Sequence, residues 1–255
     1  MRKSILYNQN FFRDPRLVTE IVRSANFGPS DTVYEIGPGQ GIITRELAKA
    51  AKKVVAIEID TELFLKLKQN LSRYPNIELV NADFLQYQIP GAGYQVFSNI
   101  PFNLTADIVK KLLASQGLIE AYLVVQKEAA EKFCGRPKET QFSILNKPWF
   151  EFRVVSRFRK TDFEPVPSVD TVLLKITKRP QPLVAEASRN DYSWFVQLGF
   201  QRWQANLGKN FKAVFTYNQW RRLSHDLKFK LKAQPTDLTF SQWLGIFKFY
   251  HNVLK

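Results

Sequence analysis

A single cysteine, Cys134, rules out an internal disulfide, so a packed core has to hold the fold. Cysteine poverty also suits a reducing compartment. The only histidines, His225 and His251, stand without partners at metal-ligand spacing, and no metal site is expected. No stretch approaches the roughly 18 apolar residues of a membrane span. No apolar run of about 7–15 residues follows the basic start Met1-Arg2-Lys3. A cytoplasmic protein with no signal peptide and no membrane partner is therefore expected. Acids are scarce: 23 Asp and Glu face 37 Lys and Arg, leaving +14 and a pI near 9.8. Such an excess favours a polyanionic partner. What is plentiful is core material. Hydrophobic residues reach 45% and aromatics 14% of the 255 residues, which excludes a disordered chain.

The first two-thirds of the chain alternates short β-rich runs with helical patterns, which predicts an α/β domain with a largely parallel sheet. Strands are expected at Thr32–Ile36, Val54–Glu58, Ile77–Val80, Gln95–Ser98 and Tyr122–Val125. A late strand at Thr171–Ile176 is expected beside the fifth. Helices are expected at Ile42–Ala51 and Glu62–Leu71, with another starting at Ala106–Leu113. Lys178-Arg179-Pro180-Gln181-Pro182 punctuates the chain. Beyond it helical spacing replaces alternation, so residues 1–178 and 179–255 are expected to form an α/β domain and a small all-α domain. From Lys178 onward, 13 basic residues meet 4 acidic ones, and Trp194, Trp203, Trp220 and Trp243 fall here. Basic residues interleaved with aromatics suit an RNA-facing surface, with Arg202, Lys209, Lys212, Arg221 and Arg222 as candidate phosphate contacts. The plainer alternative makes the aromatics a bundle core and the lysines its wet face.

Glu35-Ile36-Gly37-Pro38-Gly39-Gln40-Gly41 joins a strand to a helix. Glycines there let main chain approach a ligand, and a helix start offers free N–H groups. A dinucleotide fingerprint needs glycine where Ile42 stands, so the Gly37, Gly39, Gly41 spacing suits a nucleoside without a pyrophosphate. Glu58 ends the second strand about twenty residues on, where a carboxylate accepts both ribose hydroxyls; Ile59 is counted in the same site. Asp83 follows the third strand, placed to accept from an adenine amine while Phe84 packs on the ring. A helix cap or a surface carboxylate is the alternative for either acid alone.

Ser98-Asn99-Ile100-Pro101-Phe102 follows the fourth strand. An adenine amine is a poor nucleophile because its lone pair is delocalised into the ring. The Asn99 side-chain oxygen and the Ile100 carbonyl each accept one N–H, which localises that lone pair toward a methyl sulfonium. Pro101 fixes the turn, and Phe102 offers a ring for the target base. Positioning and electrostatics suffice, without a tuned histidine. A simple strand-to-loop turn is the alternative.

With these motifs the chain resembles the rRNA adenine dimethylase superfamily, and within it the erythromycin-resistance (Erm) methyltransferases of 23S rRNA. Glu35–Gly41, Glu58, Asp83 and Asn99–Phe102 match its motifs in order. Asn8-Gln9-Asn10-Phe11-Phe12 resembles its cofactor-contacting N-terminal segment, which implicates Asn10 and Phe12. The run Phe163-Glu164-Pro165-Val166-Pro167-Ser168-Val169-Asp170 matches its F-x-P-x-P-x-V-D loop, whose phenylalanine, here Phe163, borders the target-base pocket. Asn-Ile-Pro-aromatic, rather than Asn-Leu-Pro-Tyr, favours the Erm branch, as do the runs Phe215–Trp220 and Leu238–Leu244. Phe102 departs from the commoner tyrosine, which keeps stacking and loses a hydroxyl.

The resemblance implies a Rossmann-like S-adenosylmethionine methyltransferase domain followed by a helical RNA-recognition domain. It also implies an adenine of 23S rRNA or its precursor as substrate, resistance to macrolide, lincosamide and streptogramin B antibiotics, and action as a monomer. The rivals are a small-subunit (16S) rRNA dimethylase, a non-catalytic nucleic-acid-binding protein on the same fold and, ranked low, a DNA adenine methyltransferase. An intact cofactor set argues against lost catalysis, and asparagine at position 99 argues against the DNA enzymes, which usually carry an acid there.

Overall fold

A computed structural model of the protein describes residues 10–89, 91, 93–202 and 206–254. Asn8, Gln9 and Trp203, named above, lie outside the described residues. The chain divides into two compact units, Met1–Ala130 with Phe152–Lys178, and Glu131–Glu151 with Arg179–Lys255. The second unit thus takes in residues 131–151 besides the C-terminal stretch that composition marks off.

In the first unit, β1 (Phe11–Phe12) leads to α1 (Pro15–Ser24). Asp14 caps that helix by accepting from the Arg16 amide at 2.8 Å, and Pro15 has the fixed φ that suits a first helical turn. Then come β2 (Thr32–Ile36), α2 (Ile42–Ala50), β3 (Lys53–Glu58), α3 (Thr61–Asn70), β4 (Ile77–Asn81), β5 (Tyr94–Asn99), α4 (Thr105–Ala114) and β6 (Leu118–Gln126). The helices α5 (Lys127–Cys134) and α6 (Gln141–Asn146) lead to β7 (Phe150–Phe158), β8 (Phe163–Glu164) and β9 (Thr171–Lys178).

The seven-stranded sheet runs β4-β3-β2-β5-β6-β9-β7. Its strands from β4 to β6 pair in parallel, and β9 pairs antiparallel with β6. The late strand lies beside the fifth, as its alternation predicts. Chain order reverses between β2 and β5: β3 and β4 build outward on one side, β5 and β6 on the other. A crevice opens at the carboxyl ends of strands at such a point. Pairing of β2 with β5 is recorded at Val33↔Gln95 and Tyr34↔Val96. Beyond it the Ile36 amide donates to the buried Ser98 hydroxyl at 2.7 Å, so a side chain satisfies main chain where the strands part. One core cluster includes Val22, Leu47, Phe97, Val124, Phe158 and Phe163.

The second unit adds α7 (Arg189–Phe200), α8 (Leu207–Asn210), α9 (Tyr217–Asp226) and α10 (Phe240–Phe249). Thr216 and Thr239 open the last two with capping boxes to Gln219 and Gln242. Phe195, Phe211, Trp243 and Phe247 are buried together, with Phe195 and Phe211 centroids 4.5 Å apart. A side chain at Gly199 would strike the Trp243 ring. Residues 131–151 are tied in by the Tyr192 hydroxyl, which donates to the Ile144 carbonyl at 2.9 Å. Trp220 and Trp243 are core residues, whereas Trp194 is half exposed. For the first two, the plainer reading of the aromatics holds.

Candidate active site

Two clefts open in the first unit at the switch point. One is lined by Gly37, Glu58, Ile59, Asp83, Phe84 and Pro101 among others. The other is lined by Asn10, Phe12, Glu35, Asn99, Ile100 and Phe102 among others, and it shares Gly37 with the first. Residues as far apart as Asn10 and Phe102 thus meet because the ends of β2, β3, β4 and β5 and the N-terminal segment converge.

The three glycines of the loop share one backbone feature. Gly37, Gly39 and Gly41 have φ of 64, 57 and 74°, a region that side chains disfavour. Gly39 has a second reason to be glycine, because a Cβ there would strike the Phe11 ring. Gly39 and Gly41 do not line the clefts but shape the loop, and Gly41 forms the N-cap of α2.

Glu58 is 1% exposed, and its two oxygens accept from the Asp60 amide at 3.0 Å and the Gly39 amide at 3.3 Å. Burial pushes its carboxyl above the usual range, against those amide bonds. Each oxygen keeps a second lone-pair direction. Asp83 accepts from the Leu85 amide with Oδ1 at 2.8 Å, which leaves Oδ2 available. The main chain around Asp83 is fastened from behind. Lys111 on α4 donates to the carbonyls of Phe84, Leu85 and Tyr87 at 2.5, 3.0 and 2.5 Å, and its ammonium lies 5.0 Å from the Phe84 ring centroid. Sequence offered no signal for Lys111, because its partners are carbonyls that every residue has.

In the second cleft the Asn99 side-chain amide donates to the Asn10 carbonyl at 2.5 Å. Its Oδ1 is therefore the atom left to accept from a ligand. Ile100 and Pro101 are buried and Phe102 is partly exposed. Glu35, quoted in the motif but assigned no role, is 1% exposed, and its Oε2 has no hydrogen-bond partner. Burial pushes its carboxyl up to about 8, with the Glu58 charge adding to the shift and the Thr44 hydroxyl opposing it. An acid inside the apolar run Val33–Ile36 is the sequence signal that was there to be weighed.

Phe163 departs from expectation. It is 0% exposed and does not line either cleft. Its ring packs against Phe12 and Phe158 at 4.6 and 5.7 Å between centroids. β8 pairs with β1 through Phe12↔Phe163, so this phenylalanine clamps the segment that carries Asn10. A ring so enclosed has no face free to sandwich a base against Phe102.

The five basic candidates Arg202, Lys209, Lys212, Arg221 and Arg222 are all exposed on the second unit. Lys209 and Lys212 line one cavity there, and the arginines do not. Arg222 meets Asp226 at 3.5 Å on the surface, a weak pair that leaves its charge accessible.

The family model described as ribosomal RNA adenine dimethylase matches residues 1–252. An rRNA methyltransferase of Streptomyces thermotolerans is 32% identical over 98% of this chain and 84% of its own length. An rRNA adenine N-6-methyltransferase of Saccharopolyspora erythraea is 35% identical over 85% of this chain, which spans 56% of that longer relative. The crystal structure of 23S rRNA methyltransferase ErmE is similar at a TM-score of 0.88 and 31% identity, covering 94% of this chain and 98% of that one.

Proposed function

The chain belongs to the ribosomal RNA adenine dimethylase family and is an rRNA adenine N6-methyltransferase; we propose that it uses S-adenosylmethionine to methylate an adenine of 23S rRNA. The observation that carries the residue-level reading is the bond from Asn99 to the Asn10 carbonyl, in a cleft that shares Gly37 with the cleft of Glu58 and Asp83.

The donor set fits that cofactor. Glu58 accepts from ribose hydroxyls, Asp83 accepts an adenine amine on Oδ2, and Phe84 and Ile59 flank the base. Glu35, whose Oε2 has no hydrogen-bond partner, is among the residues that line the other cleft, where its carboxylate would welcome an ammonium or sulfonium charge. When bound, S-adenosylmethionine supplies a methyl group on a cationic sulfur.

The chain's own task is to prepare the acceptor. Asn99 is turned by Asn10 so that Oδ1 accepts one hydrogen of the adenine amine, and the Ile100 carbonyl accepts the other. Both bonds strengthen as positive charge develops on nitrogen, so they favour the transition state over the ground state. Phe102 supports the extruded base. The N6-methylated cation is acidic enough to lose its proton to water, so no general base is required. The second unit, with its basic surface, holds RNA.

Methylation in the peptidyl-transferase region would block macrolide, lincosamide and streptogramin B antibiotics. Expression in a susceptible host tests this: wild type raises the inhibitory concentration of all three classes, and Asn99→Ala does not. Unchanged susceptibility with active, folded protein would overturn the resistance role.

A further inference from the structure

The largest cavity described lies in the second unit, away from the two clefts, and the run Phe215–Trp220 supplies part of its lining. It measures about 560 Å³, within the usual range of small-ligand sites. Its floor is aromatic: Phe211, Phe215 and Trp220 are each no more than 6% exposed. The Trp220 indole is fixed by a bond from Nε1 to the Leu231 carbonyl at 3.2 Å, and it stacks on Phe215 with centroids 5.9 Å apart. Tyr217, the first residue of α9, also lines it yet is 70% exposed, so its ring is free to meet a partner. Lys209, Lys212 and Lys232 line it too, with Asn206, Thr216 and Leu231, and among the described residues no carboxylate does.

A largely aromatic lining that also carries three lysines suits a ligand that is flat, weakly hydrated on its faces and anionic at its edge. A nucleotide meets all three requirements. A bare phosphate would leave the aromatic floor unused. An acidic peptide would satisfy the lysines, and only an aromatic one would also use the rings.

We propose that this cavity takes one unstacked nucleotide of the RNA substrate, distinct from the target adenine. Its base stacks on Tyr217 over the Phe215–Trp220 floor, and its flanking phosphates meet Lys209, Lys212 and Lys232. The site recognises a single-stranded element and adds stacking to an otherwise electrostatic grip. This inference rests on the reading of the chain as an rRNA methyltransferase.

The test uses the full chain and a protein-free 23S transcript, with affinity measured across a salt series. Stacking and ion pairing separate in that experiment, because only phosphate contacts release counterions. Tyr217→Ala is expected to weaken binding about 5- to 150-fold with an unchanged salt slope, the size of one lost base–aromatic stack. Tyr217→Phe should bind within about twofold of wild type, since the π-face survives. Lys232→Gln should flatten the slope by about 0.7–0.9. Wild-type affinity for Tyr217→Ala overturns the proposal, as does equal loss in Tyr217→Phe. Competition by polyglutamate that Tyr217→Ala abolishes would also overturn it, in favour of an acidic peptide. Methylation by the wild type is scored on the same transcript. Absence of methyl transfer there marks failure of the enzyme reading, whereas intact transfer with an indifferent Tyr217→Ala marks failure of this inference alone.

Discussion

The side-chain amide of Asn99 donates to the main-chain carbonyl of Asn10 across 89 residues of sequence. An asparagine has an oxygen and a nitrogen of nearly equal shape, and only the oxygen can accept from an amine. The contact with Asn10 occupies the nitrogen and leaves the oxygen to accept. Asn99→Ala should lower the single-turnover rate by about 10²–10³ while leaving RNA and cofactor affinity nearly intact, as for loss of one preorganised polar group. A single-turnover rate near wild type would remove the role.

The buried carboxyl of Glu35 gives a pH signature. Burial favours the neutral form and pushes this carboxyl up to about 8, so in the free protein it is protonated at pH 7. The sign follows: its contribution to stability is fully present below the ordinary carboxylate value near 4.5 and is lost as pH rises through about 8. Wild type should therefore lose thermal stability between about pH 4.5 and 8, and no further above it, relative to Glu35→Gln, whose side chain cannot ionise. A bound cation reverses the preference, so S-adenosylmethionine should displace the proton. Calorimetric titration at pH 7 in buffers of different ionisation enthalpy should show proton release that Glu35→Gln lacks. Buffer-independent heats for wild type would refute it.

The parallel strands were legible because strands buried on both faces, such as Ala121–Val125, are written as unbroken apolar runs. The glycine loop, Glu58, Asp83 and Asn99 were legible because each stands at or just after the end of a strand, although β4, before Asp83, is only half-buried and carries Glu78. Strand β7 was not. At this sheet edge Val155 stands on the exposed face and Ser156 on the inward one, which breaks the alternation that Arg153 and Arg157 would otherwise mark. Nor was the membership of residues 131–151 in the second unit, since helices of eight and six residues carry too little period to read. Phe163 was readable as a motif but not as a core residue, because its burial depends on Phe12, some 150 positions away.

Glu58 and Lys111 serve the same cleft in different ways. Glu58→Ala should weaken S-adenosylmethionine binding by about 1.5–3 kcal/mol, the range for hydrogen bonds to a charged group. Lys111→Met loosens the Phe84–Tyr87 main chain and should raise the cofactor dissociation constant without slowing turnover at saturation. Isothermal calorimetry on folded variants checks both. Unchanged affinity would remove Glu58 from the site, and an equal fall in maximal rate would contradict the positioning role of Lys111.

The two phenylalanines should behave differently. Phe102→Ala should weaken the hold on the extruded base by about 1–3 kcal/mol, Phe102→Tyr should be nearly neutral, and Phe102→Leu should fall between. Equal activity of the leucine and tyrosine variants would mean that shape alone suffices. Phe163→Ala should instead cost about 3–5 kcal/mol of fold stability, as for a large core residue. Denaturant unfolding separates the cases, and an undiminished midpoint for Phe163→Ala would contradict its clamping role.

The central claim is that Asn99 and its neighbours prepare an adenine of 23S rRNA for methylation at N6. Protein-free 23S and 16S transcripts incubated with labelled S-adenosylmethionine, followed by nucleoside analysis of the RNA, test it directly. The predicted result is label in N6-methylated adenosine at one 23S position, absent with Asn99→Ala. Label in 16S RNA instead, or in neither RNA, would contradict it.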